Sequence, residues 1–198
     1  LIPKLSFRIS PHDMKNHRNS GRRIDINNVF SNNRLSLNDS FETGESLTLG
    51  MNFKKEKVNE LDKITKIEEY FDFKLATVLR FNKEEHMPID STINEKTSNI
   101  FGLLNYKPIK SIDLTYNFSL TNDFNILEYN SIGAEYNSNN FSTKFDYIEE
   151  AGILGNTNVI SNTTKYIFKE YSSLAFSTRR NRRIDLTEYY DLVYEYKN

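Results

Sequence analysis

The stretch Ser111–Leu120, SIDLTYNFSL, alternates without a break: Ile112, Leu114, Tyr116, Phe118 and Leu120 are apolar, and Asp113, Thr115, Asn117 and Ser119 between them are polar. Side chains of an extended chain point to opposite faces with period two, whereas a helix repeats every 3.6 residues. The stretch is therefore a β-strand with one apolar and one wet face. The same period runs through Leu47, Leu49, Met51 and Phe53, and through Phe71, Phe73, Leu75 and Leu79 against Asp72, Lys74 and Arg80. It returns in Phe141–Tyr147, with Ser142, Lys144 and Asp146 on the polar side, and in Tyr190–Tyr196, with Asp191 and Glu195. Extended along the chain, the pattern predicts about ten strands.

The connections sort by length. Short turns are expected at Lys107–Lys110, Asn137–Asn140 and Glu170–Ser172, with a longer one at Lys55–Lys63. Long polar connections are expected at Ser10–Glu42, Asn82–Thr97, Thr121–Glu128, Ala151–Asn158 and Arg180–Thr187. A soluble sandwich has no reason to place short and long loops on opposite ends, but an outer-membrane barrel does, with short periplasmic turns and long extracellular loops. Phe53, Tyr106, Tyr136, Phe141, Phe168 and Tyr171 flank the short turns, where amphipathic rings would sit at headgroup depth as a girdle. The expected fold is all-β: an antiparallel up-and-down transmembrane β-barrel segment, incomplete as a barrel.

Composition agrees. Fourteen Phe and twelve Tyr accompany only seven Gly and four Pro, which suits strands better than disorder. The negative mean hydropathy does not count against a barrel, because the lumen side of every strand is polar. A net charge of −1, from 26 basic and 27 acidic residues, gives no field for nucleic acid. With no cysteine, thiolate chemistry and disulfides are excluded within this chain. The start at Leu1 and the stop at Asn198 inside a strand-like run lead to the expectation of a fragment.

On parity, Asp72, Lys74, Asp113, Asn117, Lys144, Asp146 and Glu195 are expected to face the lumen, and Leu49, Phe73, Leu114 and Phe118 the lipid. Charges at the midplane would cost a few kcal/mol each if they faced hydrocarbon. Asn99–Tyr106 departs from the rule, being apolar on both faces through Ile100, Phe101, Leu103 and Leu104. Ordinary variation along a wall is the preferred reading, and contact with an internal plug the alternative.

Residues with chemistry are few. His12, His17 and His86 fall in long loops, and His12 beside Asp13 lacks the geometry that a base requires. No HExxH, GxSxG or phosphate-loop motif occurs, so no catalytic, metal or cofactor residue is assigned and no enzyme is expected. Arg22 and Arg23 in the first long loop, and Arg180, Arg182 and Arg183 near the last, carry guanidinium forks that match phosphate groups. The competing account is a set of solvated loop ion pairs with Asp13, Asp25 or Asp185.

Ordered strings complete the reading: PKLSFRISP at Pro3–Pro11, RRIDINNVFSNNRL at Arg22–Leu35, SLTLGMNF at Ser46–Phe53, YNFSLTNDFNILEYN at Tyr116–Asn130 and LTEYYDLVYEYKN at Leu186–Asn198. In this order they resemble the C-terminal barrel region of the LPS-assembly outer-membrane protein family LptD, also called the organic solvent tolerance protein family. The resemblance spans essentially the whole chain. It implies that residues 1–198 are part of a single barrel domain, lacking an N-terminal β-jellyroll, the first strands and the closing strands. It further implies insertion of lipopolysaccharide into the outer leaflet of a Gram-negative cell, an LptE-like lipoprotein as plug, and a periplasmic LPS bridge reached through the missing domain. In that family a cysteine of the inter-domain disulfides follows the last string. The loops here are richer in Asn and Lys than in longer relatives, which leaves strand parity intact. Other barrels, porins or receptors, and a soluble all-β binding module are the alternative readings.

Overall fold

The computed structural model describes residues 1–61, 64–169 and 172–196. Ten strands form one antiparallel sheet in strict chain order: β1 (Ile2–Ser10), β2 (Gly44–Leu61), β3 (Ile64–Arg80), β4 (Ile100–Ile109), β5 (Ile112–Leu120), β6 (Leu127–Asn137), β7 (Phe141–Glu150), β8 (Asn158–Lys169), β9 (Ser172–Asn181) and β10 (Leu186–Tyr196). The order ends at β1 and β10, so the sheet is open and stands as an incomplete barrel.

Period-two patterning fixes the register. Asn117 pairs with Leu103 on one side and Ser131 on the other, and Phe118 pairs with Gly102 and Asn130. Every strand thus adds to the same two faces. One face is bare and carries Leu5, Phe7, Leu114, Ile132, Phe145, Phe176 and Tyr190 exposed. On it the Phe118 ring lies where a side chain on Gly102 would stand, 2.1 Å from the position of a Cβ. Glycine is required there because the ring takes the space of its neighbour's side chain.

The other face is covered by the chain itself. The β1–β2 and β3–β4 loops fold back onto β2, β3 and β4, and Met14, Ile24, Ile26, Val29, Leu35, Leu37, Met87 and Ile93 pack with Ala76, Val78, Phe101 and Leu103 into one cluster. This corrects the reading of Asn99–Tyr106. Phe101, 2% exposed, and Leu103 are apolar because the chain's own loops lie over them, so the stretch is neither simple variation nor in need of a separate plug. The burial is the largest hydrophobic term in the molecule, since the rest of the sheet is one layer thick.

Two further expectations change. Lys55–Leu61 and the residues from Ile64 are strand, so β2 and β3 form a much longer hairpin than a turn at Lys55–Lys63 would allow; its tip lies outside the described residues, as do Tyr171 and part of the Glu170–Ser172 turn. Arg180 sits in β9 and Leu186 and Thr187 in β10, so the last loop is shorter than its composition suggests.

Candidate functional site: a charge-paired wall beneath a loop cap

The cap is anchored by one buried carboxylate. Glu42, just before β2, receives Nε of Arg34 at 2.7 Å on Oε2, a second contact from Arg34 Nη2, Nη1 of Arg80 at 2.9 Å and Nη1 of Arg8 at 3.3 Å. Arg34 comes from the same loop, Arg80 from β3 and Arg8 from β1. Three guanidinium groups around one carboxylate leave donors over, and backbone and hydroxyl oxygens take several of them: Arg8 donates to the carbonyls of Ser31 (2.8 Å) and Asn32 (2.9 Å), Arg80 to the carbonyl of Thr43, and Arg34 to Thr48 Oγ1 (2.9 Å) and Ser46 Oγ (3.1 Å). Burial by itself would raise the Glu42 carboxyl pKa. The hydrogen bond from Arg34 and the charges of Arg34, Arg8 and Arg80 outweigh it and hold the group below the ordinary carboxylate range.

Sequence reasoning missed this knot, because no residue spacing joins Arg8, Arg34, Glu42 and Arg80. The available signal was the alternation itself, which puts Arg8, Ser46, Thr48 and Arg80 on the polar face at the end nearest the long loops.

Other ties extend the cap. Phe30 lies over Gly50, its ring 2.7 Å from the position of a Cβ, and Lys4 stands 5.6 Å from the centre of the same ring. Asn99 bridges Ser119 (2.9 Å) and Glu128 (2.6 Å). Arg23 reaches Glu150 and the carbonyl of Leu154, which draws the first loop to the β7–β8 loop.

Beyond the cap the same face is charged and paired. Lys74 meets Asp72 at 3.0 Å, Lys107 meets Asp113 at 2.7 Å, Lys144 meets Asp146 at 3.1 Å and Lys165 meets Glu195 at 2.9 Å. Asn117 shares this face, between Leu103 and Ser131. Leu49, Phe73, Leu114 and Phe118 all lie on the bare face, in register with Thr77, Leu104, Tyr106 and Gly102 respectively.

Near the short turns the bare face carries a row of rings. Phe53 and Phe71 are 5.9 Å apart, Phe71 and Tyr106 6.3 Å, Tyr136 and Phe141 6.1 Å, Tyr166 and Phe168 6.4 Å, and Phe168 and Tyr194 6.1 Å. Lys55 stands over Phe53 and Phe71 at about 6 Å.

The two arginine clusters approach one loop. Arg23 touches Leu154, and Arg183 lies 3.5 Å from the carbonyl of Asn156, so both flank the β7–β8 connection. Arg180 pairs with Asp185, Arg179 with Glu188 at 2.7 Å, and Arg182 stands 5.9 Å from the centre of the Tyr147 ring. Arg22 is exposed. His17 meets Asp39 at 3.0 Å in the cap, and His12 serves through its carbonyl, which accepts from Thr43.

An up-and-down sheet with an apolar, ring-bordered bare face and a charge-paired opposite face defines the wall of an outer-membrane β-barrel. Residues 3–179 match the family model described as LptD: LPS transport system D. The chain belongs to that family, a transport and assembly family of the outer membrane and not a family of enzymes. No curated protein matches the chain.

Proposed function

We propose that this chain forms one arc of a closed barrel that delivers lipopolysaccharide to the outer leaflet, with its bare face in lipid and its capped face toward the lumen. The observation that carries this reading is the cap: two long loops, the first of them anchored on Glu42, cover one end of a wall that carries paired charges beyond it. Such a wall suits a polar saccharide passing through water, while the cap shuts the outer end until cargo arrives. Asp72, Lys74, Asp113, Asn117, Lys144, Asp146 and Glu195 line the lumen in this reading, and Leu49, Phe73, Leu114 and Phe118 meet acyl chains. Arg22, Arg23, Arg180, Arg182 and Arg183 then lie at the outer rim, where the phosphate groups of the cargo emerge. By family membership, an LptE-like lipoprotein would occupy the lumen below the cap, and a periplasmic bridge would feed the barrel through a jellyroll domain. The soluble alternative is disfavoured because the bare face exposes a broad apolar surface that, among the described residues, no second sheet covers.

Single cysteines at Leu114, Asn117 and Ser31 in the full-length protein test the reading on intact cells. Lipid-probe labelling at Leu114, aqueous labelling at Asn117 and external labelling at Ser31 are expected. A Leu114 cysteine shielded from lipid in a protein that fractionates as soluble would overturn it.

A further inference from the structure

Where the cap meets the wall it leaves a hollow. The loop segment Arg23–Asp25, strands β4, β5 and β6 and the β7–β8 connection line a cavity of about 210 Å³. Contacts already named set its position: Arg23 reaches across to Glu150 and the Leu154 carbonyl, and Ile24 belongs to the same cluster as Phe101. The sheet contributes Asn117, Ser119 and Tyr129, which alternation puts on the lumen face, since Ser119 pairs with Phe101 and Tyr129 and Asn117 lies two residues before it. None of the lining belongs to β1 or β10, the open edges that further strands would cover.

Ile24, Phe101 and Leu154 give the cavity buried, apolar surface. Its polar groups have hydrogen-bonding capacity to spare. Among the described residues, the Asn117 amide and the Tyr129 hydroxyl have no protein partner. Asp25 uses Oδ1 to accept from the backbone N–H groups of Asn27 (2.7 Å) and Asn28 (3.0 Å) and leaves Oδ2 open. Ser119 accepts from Asn99 at 2.9 Å and keeps its own proton to donate. The one lining guanidinium, Arg23, is already engaged by Glu150 and Leu154, so beyond the single carboxylate of Asp25 the cavity has no excess of either sign.

An acyl chain in this space would leave the amide, the phenol and the carboxylate oxygen dry and unpaired, which burial penalises. A phosphate would meet the Asp25 carboxylate and find no free guanidinium. What matches is a neutral ring with a polar rim and C–H faces, small enough for a volume below the range of about 300–1,000 Å³ typical of drug-sized sites. We infer that the cavity is a subsite for one pyranose ring, whose hydroxyl groups meet Asn117, Ser119, Tyr129 and Asp25 while its C–H faces rest on the apolar lining. A ring held there touches loop and sheet at once, and so ties the occupant to the closed state of the cap. That the ring comes from the saccharide of lipopolysaccharide rests on the transport reading above; the cavity and its chemistry do not.

Saturation-transfer NMR on the full-length protein in detergent micelles tests this with methyl glucopyranoside as the probe. The glucoside should bind at millimolar concentration, and Asn117→Leu should weaken it at least tenfold, because a site that hydrogen-bonds hydroxyl groups discriminates through them. Tyr129→Phe, which removes only a hydroxyl, should weaken it severalfold and serves where Asn117→Leu does not assemble. Ser131→Ala, beside Asn117 on the same face but outside the cavity, should bind as the parent does, with heat-modifiable mobility confirming each barrel. Cyclohexanol, phosphate and ethylammonium, an apolar ring and the two signs of charge, should fail to displace the glucoside. Displacement by any of them, unchanged affinity in an assembled Asn117 or Tyr129 variant, or no binding at millimolar glucoside would overturn the inference. Core oligosaccharide freed from lipopolysaccharide should compete better than a dextran fragment of equal length; the reverse order would overturn the cargo as the source of the ring. The titration involves no transport, so its failure and a failure of Leu114 to meet lipid are separate results.

Discussion

Arg34 grips both oxygens of Glu42, with Nε 2.7 Å from Oε2, and both residues belong to the same loop. The pair closes that loop on itself, and Arg80 and Arg8 fasten the closed loop to β3 and β1. Removing one partner of a buried, hydrogen-bonded ion pair costs about 3–5 kcal/mol, because the remaining charges stay buried without it. Glu42→Gln should therefore loosen the cap while leaving the sheet assembled. A cysteine at Val29, fully buried in the cap, should react with maleimide slowly in the parent protein and at least tenfold faster beside Glu42→Gln. Equal rates would show that the apolar cluster alone holds the loop.

The same carboxylate gives the cap a direction of pH response. Glu42 titrates below its ordinary range in the folded protein, so its contribution is present above the unfolded value, about 4.3, and is lost as pH falls through the folded pKa. Pepsin cleavage of the β1–β2 loop in micelles should stay slow from pH 5 to below 4 and then rise. A rise already complete at pH 4.5 would contradict the depressed pKa.

Phe101 is the floor of the cap. Truncation of a buried phenylalanine costs about 3–5 kcal/mol, and Phe101→Ala should expose the Val29 cysteine much as Glu42→Gln does. Leu104→Ala, three residues further along β4 on the bare face, should not. A matching effect from both would mean that the strand, and not the cap, responds.

Ser131 and Ile132 are neighbours in mid-strand β6 on opposite faces. Arginine on a lipid face costs about 2–4 kcal/mol near the midplane and little in a wet lumen. Ile132→Arg should reduce the amount of heat-modifiable barrel in the outer membrane, and Ser131→Arg should leave it close to normal. The reverse order would invert the assignment of faces.

Arg180, Arg182 and Arg183 replaced together by Gln should lower surface lipopolysaccharide, measured by antibody binding on cells with normal protein levels. Unchanged delivery would assign these residues to loop structure, in keeping with the Arg180–Asp185 pair and the packing of Arg182 on Tyr147.

Strand number, strand order and parity were legible because period-two alternation is a local property, readable in any stretch such as Ser111–Leu120. The meaning of Phe101 and Leu103 was not legible. Their apolar character answers to Ile24 and Val29, some seventy residues earlier in a loop without periodicity. The Glu42 knot was hidden for the same reason, since Arg8 and Arg80 come from different strands and meet only when the loop folds back. The long β2–β3 hairpin resembles a turn in the sequence because its charged residues have loop composition, although β2 and β3 pair through it.

The pieces of the cap become available at different times. Each strand pairs with the one before it, so the sheet can grow by successive hairpins with little loop-closure entropy. Yet Val29 and Arg34 cannot find Arg80 and Phe101 until two more strands and a second long loop have been laid down. The lid of the barrel is therefore finished after its wall, and until then the first loop has no floor to settle on.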